Sequence, residues 1–464
     1  MSLTAPRTHR VAAAIAAAVL LAACGTSGGE GQSTTVANTP VPTSEAQTTV
    51  APSSSPDTTE AAPPEDLVLG FDLSSGDLNA TREKYGVQGQ NTNLLPEDYY
   101  VALMDAYNAK GGIGGHKLVP LNYTAPTGDV PPDVKNQERC ETYFKGATVA
   151  SVVVGTNDPI LNTCANDAGA ILFGRGFTGL DQASLDKFAG HVNPQAATFD
   201  RVAAAMVDLA VSDGKVTGGT SVGVVYPGCD AQSAVYDTAL RPALEAAGAK
   251  VSAFKGTCIR TSADEGTAIA EIPNMVLQWK SDNVEVVFNL ATGFIPIVLT
   301  MNEADKQGFT PTWVLSTNNE FGAMSTMNPP AAQMAKVIAA GWAASLDTFE
   351  LDPAKLGPNA QPCLDKFASV GFPAPGNLGE LAAQLDVCST FLALEIMLTA
   401  VPGTLDRDAM LSALTSSTTD TAALTNSIDW TAGRQPNVKY RKAVYDAGTA
   451  KFVYEGDARD MPTP

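Results

Sequence analysis

The chain has 464 residues, enough for two domains with sizeable cores. Its 29 basic and 49 acidic residues leave a formal net charge of −20, which argues against a nucleic-acid partner because nothing offsets phosphate repulsion. Only three histidines are present, and HExxH, CxxC and GxxxxGK[ST] patterns are absent, so no metal, cofactor or catalytic residue is expected.

Residues 1–23 read as an export signal. Arg7 and Arg10 supply the positive start, and residues 11–20 the apolar core, which is too short to span a bilayer. Leu21-Ala22-Ala23 precede Cys24, a run that resembles the lipobox of bacterial lipoproteins. That resemblance implies a diacylated Cys24 as mature N-terminus and a protein anchored to the outer face of the cell membrane. An ordinary secretory signal with a chance cysteine is the alternative. Residues 24–66 are rich in Ser, Thr, Pro, Gly and Ala without apolar periodicity, which predicts a tether with a root-mean-square span of roughly 35–40 Å.

From residue 67 the pattern becomes strands alternating with helices. Apolar runs predict strands at 67–71, 118–121, 149–154, 170–173, 221–226, 251–254, 284–290 and 313–315, with final strands at 439–445 and 451–454. Helical patterns lie between them, at 232–247, 267–279 and 294–306 among others. Such alternation means α/β architecture with mostly parallel sheets covered on both faces.

One stretch is especially informative. Pro96 opens a helix with Glu97 and Asp98 in its first turn, and Tyr100, Leu103, Met104 and Tyr107 recur at helical spacing. Gly111-Gly112 stop the helix, Gly114-Gly115 turn the chain again, and a short strand follows. The run Asn108-Ala109-Lys110-Gly111-Gly112-Ile113-Gly114-Gly115 resembles the N-x-x-GG-I-x-G signature of the leucine/isoleucine/valine-binding family of bacterial solute-binding proteins. The resemblance extends, more weakly, over about 67–454. It implies the type I periplasmic binding protein fold, with two Rossmann-like lobes, parallel sheets and a multi-segment hinge. The polar, proline-containing stretch 191–200 marks the first crossing between lobes. The helix at 385–400 returns to the first lobe, as its family counterpart does. The expected division is 67–193 and 373–428 in lobe 1, with 194–372 and 429–464 in lobe 2.

Seven cysteines leave one odd, which Cys24 absorbs if lipidated. The other six fall as local pairs, Cys140/Cys164, Cys229/Cys258 and Cys363/Cys388, suited to an oxidising compartment. Six cysteines allow many connectivities, and sequential pairing is the expectation. The first pair resembles a disulfide of leucine-binding relatives that joins the helices after the second and third strands.

In open α/β sheets ligands sit beyond the carboxyl ends of strands. That selects Ser75, Thr156, Asn157, Asp158, Arg175, Phe177 and Thr178 in the first lobe, and Tyr226, Thr292, Asn318 and Glu320 in the second. Hydroxyls, amides and helix N-termini can hold a carboxylate, carboxylates an ammonium, and aromatics an apolar part. Asp158, just before Pro159, reads first as a helix cap and alternatively as facing the cleft. Gly174-Arg175-Gly176-Phe177-Thr178-Gly179 matches GxGxxG, but it follows the fourth strand and no acid-ended strand follows about twenty residues on, so a dinucleotide site is not expected. The family's loop here carries small hydroxyl residues. Arg175 and Phe177 depart from that and permit an anionic or aromatic-containing ligand, while Thr178 retains the hydroxyl. His116 in the glycine turn is expected to face solvent, and His191, near the lobe crossing, to be structural.

The expected protein is therefore a monomeric, lipid-anchored, extracytoplasmic solute-binding protein. It captures a small polar metabolite, an amino acid or related amide or carboxylate, and delivers it to the permease of an ABC importer. A ligand sensor of the same fold without transport is the alternative.

Overall fold

The computed structural model describes residues 64–72, 96–124, 130–144, 152–155, 158–260 and 262–463, which belong to one compact unit. Cys24 and the 24–63 part of the expected tether lie outside these residues. Strands β1 (Leu67–Asp72), β2 (Leu118–Tyr123), β3 (Val152–Gly155), β4 (Ile171–Gly174) and β5 (His191–Val192) form a parallel sheet in the order β2-β1-β3-β4-β5. A second sheet collects β6 (Ser221–Pro227), β7 (Lys250–Gly256), β8 (Val286–Asn289), β9 (Thr312–Ser316), β10 (Val337–Gly341), β11 (Lys439–Asp446) and β12 (Lys451–Asp460). Its order is β12-β11-β10-β9-β8-β6-β7, parallel from β7 to β10, with β11 and β12 joining antiparallel at one edge.

The glycine run places the first helix against its strand. Helix α1 (Pro96–Asn108) buries Tyr99, Tyr100, Leu103 and Met104. At its end the Asn108 amide donates to the Leu118 carbonyl and accepts from the Leu118 N–H, both at 2.8 Å, which seals the helix end to β2. Gly111, Gly112, Gly114 and Gly115 all have φ between 61° and 97°. A Cβ on Gly112 would lie 2.0 Å from the His116 carbonyl oxygen, and one on Gly114 2.3 Å from that of Leu398, so side chains are excluded sterically as well as conformationally.

Helices α2 (Pro132–Phe144) and α3 (Pro159–Asp167) are joined by Cys140–Cys164. After β5 the chain crosses to α4 (Phe199–Ser212), whose apolar face underlies the second sheet. Helices α5 (Ser262–Ser281) and α6 (Ile295–Lys306) cover the opposite face of that sheet. The chain returns through α7 (Ala360–Ser369), α8 (Leu378–Ala400) and α9 (Arg407–Thr415), all part of the first core. Helix α8 is long and apolar enough to cross a membrane. Here it is a core helix, with Tyr107 stacked on Phe391 at 5.4 Å. Burial on most sides explains why it is apolar nearly all round.

Several expectations are corrected. Strands β5 and β10 were not expected: β5 is two residues long, and β10 (VIAAG) is dominated by small residues without period-two contrast because it is buried throughout. The helix expected over 232–247 is broken by a π-turn, Tyr236–Leu240, just before Pro242, which brings no N–H to the ladder. Ala360, Cys363 and Phe367 of α7 pack in the first core, and Cys363–Cys388 ties α7 to α8. His116 does not face solvent. It is fully buried, Nδ1 lying 2.7 Å from the Glu65 carbonyl oxygen and Nε2 2.9 Å from that of Val401. Glu65 also accepts from Leu405 N–H at 3.2 Å, so the end of the expected tether is docked on the fold. All three disulfides join sequential pairs.

Candidate functional site

Three crossings connect the two sheets, and they are stitched side by side. Asn437 Nδ2 donates to the carbonyls of Pro194 (3.0 Å) and Ala196 (3.1 Å), joining the last crossing to the first. The Trp342 indole N–H donates to the Gln195 carbonyl at 3.0 Å, joining the second to the first. Arg434 spends its guanidinium on the carbonyls of Phe188, Ala189 and His191 at 2.6–3.0 Å, where a short helix ends and its carbonyls need donors.

Asp347 centres the second crossing. Its Oδ2 accepts from Thr317 Oγ1 (2.8 Å), Tyr454 OH (2.6 Å) and Ala343 N–H (3.0 Å), while Oδ1 is buried without a partner. Burial raises this carboxyl to about 7, although its hydrogen bonds pull the other way. Thr317 in turn accepts from Trp342 N–H at 2.9 Å. His191, as expected, is structural: buried, it faces Asn162 Oδ1 across 2.8 Å, and burial holds its imidazole neutral by lowering it to about 3.

The loop after β4 meets these crossings. Arg175 Nε donates to Asp386 Oδ2 at 3.2 Å, and the other Asp386 oxygen accepts from Gln195 Nε2. A loop of the first sheet, helix α8 and the first crossing thus converge on one carboxylate. Arg175 remains one-third exposed against 12% for Asp386. Phe177 packs against both cores, and Thr178 bridges to Ala197. Gly179 explains the last glycine of the motif: its Cβ would lie 2.1 Å from the Ala197 carbonyl oxygen and 2.4 Å from Gln435 Oε1. Gly179 thus serves close approach to the crossing, whereas Gly176, at φ 76° with open space around it, serves the turn itself.

At the carboxyl ends of the second sheet, β6 pairs with β8 and β8 with β9, so the segments carrying Tyr226, Thr292 and Asn318 share one sheet end. Asn319 Nδ2 donates to the Ala291 carbonyl at 2.6 Å, and Gly293 N–H to that of Asn318 at 2.8 Å. Asn318 is 3% exposed with both amide atoms unpartnered. Thr292 is exposed, and Glu320 is half-buried in the left-handed region at φ 47°.

Two expected site residues are committed elsewhere. Asp158 caps α3, accepting from Ile160 N–H (2.8 Å) and Leu161 N–H (3.4 Å). Tyr226 is 8% exposed and stacked on Tyr236 at 4.4 Å, because its side chain alternates with Val225 onto the α4 face of the sheet. Ser75, Thr156 and Asn157 lie outside the described residues. Residue patterns missed Asp386, Gln195 and Asp347. Asp386 left a signal, as a carboxylate within the apolar run of α8.

No family model matches the sequence, and no curated protein matches it. Solved structures do. An ABC transporter substrate-binding protein from Aeropyrum pernix aligns at TM-score 0.60 and 13% identity over 86% of this chain and 97% of that one. The fatty acid ABC transporter substrate-binding protein from Thermomonospora curvata aligns at TM-score 0.57 and 15% identity over 87% and 96%. A solute-binding protein of an ABC transporter from R. palustris, in complex with 4-hydroxybenzoate, aligns at TM-score 0.57 and 14% identity over 86% and 98%. The chain has the two-lobed fold of type I periplasmic solute-binding proteins.

Proposed function

We propose that this chain is an extracytoplasmic solute-binding protein that holds a small polar metabolite between its lobes and presents it to the permease of an ABC importer. The observation carrying this reading is the set of three hydrogen-bonded crossings between two sheets, with the Arg175 loop at their margin. Such crossings act as a hinge about which two lobes close.

Arg175 supports a ligand bearing a carboxylate, the group a guanidinium recognises best. The R. palustris protein is in complex with 4-hydroxybenzoate and the Thermomonospora curvata protein is named for fatty acids, both carboxylates at neutral pH. On this reading Asp386 holds Arg175 in place, and Thr178, Asn318, Glu320 and Thr292 offer polar partners. An amino acid or a related amide or carboxylate fits that set. Cys24 carries the lipid anchor, residues 24–63 tether the domain, and the protein acts as a monomer. No catalytic step belongs to this role.

A thermal-shift screen of amino acids, amides and carboxylates tests it, followed by small-angle scattering with each hit. A ligand at 100 times its dissociation constant adds about 2.7 kcal/mol. A hit that compacts the protein supports the reading. A screen without hits, or hits that leave the scattering unchanged, overturns it.

A further inference from the structure

The second sheet holds a cavity of about 260 Å³ between α5 and α6, at the carboxyl ends of β6, β7 and β8. It lies on the sheet face carrying Val225 and Phe254, and Tyr226, whose ring stacks on Tyr236 at the opposite face, also borders it. Its wall includes Ile272, Met275, Ile295 and Leu299. The cavity opens to solvent, but its walls are mostly apolar, so the lining atoms lack dispersion partners on their open side. Beside it, Cys229–Cys258 fastens the segment after β6 to the segment after β7, which contributes Thr257 and Ile259 to the lining. The rim is apolar too, Ile259 being 51% exposed and Ile269 39%. Water gains little in such a space, whereas an apolar guest gains wall contacts and covers the rim.

We propose that this cavity is a second binding site within the second lobe, distinct from the Arg175 site, for an apolar molecule without negative charge and of about the size of an alkylated benzene ring. The size follows from volume: a cavity of roughly 150 Å³ already accepts benzene. The charge follows from the lining. Among the described lining residues none is basic, while Glu265 and Glu271 are acidic. Glu271 is engaged by Thr257, whose N–H and hydroxyl donate to it at 2.9 and 2.7 Å. An anionic guest finds no partner there and meets carboxylates.

Toluene is the probe, titrated into the full chain and followed by ligand-observed NMR and thermal shift. Wild type is expected to bind toluene, and excess benzoate is expected not to displace it. Ala268→Phe, which puts a ring into the cavity, is expected to weaken toluene binding at least tenfold. If that variant does not fold, Leu299→Phe fills the same space from α6. Ile272→Ala, which enlarges the cavity, is expected to accept naphthalene. No toluene binding by wild type, or undiminished binding by a folded cavity-filling variant, overturns the site. Displacement by benzoate overturns its charge preference.

Discussion

The indole N–H of Trp342 donates to the backbone carbonyl of Gln195 across 3.0 Å, joining residues 147 positions apart in the chain. Both are buried, and the bond locks the second crossing to the first. Its donor residue also joins the Asp347 network through the Trp342 backbone N–H to Thr317, and its acceptor residue, Gln195, reaches Asp386 with its side chain.

Trp342→Phe removes that donor and leaves a buried carbonyl unpaired. A loss of about 1–3 kcal/mol in urea unfolding is expected. A variant as stable as wild type would show that the bond contributes nothing to holding the crossings together.

Asp347 makes stability depend on pH. Its folded value of about 7 exceeds the ordinary 3.8, so the folded protein keeps a proton that the unfolded chain has released. The stabilisation is complete below about pH 4 and is lost as pH rises to about 7. His191 opposes it: lowered to about 3, it contributes stability that is lost as pH falls below 6.5. The readout is therefore the difference between wild type and Asp347→Asn. The variant's thermal midpoint should fall less, or rise more, between pH 4 and 7, and parallel profiles would contradict the assignment.

Arg175 and Tyr226 separate binding from packing. Arg175→Ala is expected to weaken a carboxylate ligand at least tenfold in calorimetry, beyond the loss of ligand-free stability caused by leaving the buried Asp386 carboxylate without its guanidinium. Tyr226→Ala removes a buried, stacked ring and is expected to cost about 2–4 kcal/mol of stability. Unchanged affinity in Arg175→Ala would place the ligand elsewhere.

The Cys363–Cys388 disulfide closes a segment of 25 residues and ties α7 to the core helix α8. Replacing both cysteines by alanine should lower stability by about 2–4 kcal/mol in chemical unfolding. An unchanged midpoint would mean that packing alone holds α7 on the first core.

Anchoring is tested at Cys24. If the lipobox-like run is used, Cys24→Ala gives unprocessed or released protein, and the wild type partitions into detergent. A mature wild-type N-terminus found elsewhere and unmodified by mass spectrometry rules this out.

What the sequence determined by itself is what short range encodes. Strand–helix alternation fixed the architecture class, and the 111–115 glycines fixed a reversal that four positive φ angles carry out. Closely spaced cysteines paired as neighbours because each pair joins adjacent elements. Tertiary structure decided the rest. Strand β10 is pinned between β9 and β11, and its own residues lack alternation. His116 lies in a sequence that reads as an exposed turn, yet the segment at Glu65 and the end of α8 close over it. Asp158 had two readings and its backbone geometry makes it the cap, while Tyr226, read as a site residue, is stacked on Tyr236 in the core. Arg175 finds Asp386 across 211 positions, a partnership no local pattern announces. Period, turn chemistry and spacing are properties of a few consecutive residues, whereas a buried partner is chosen only when the whole chain has folded.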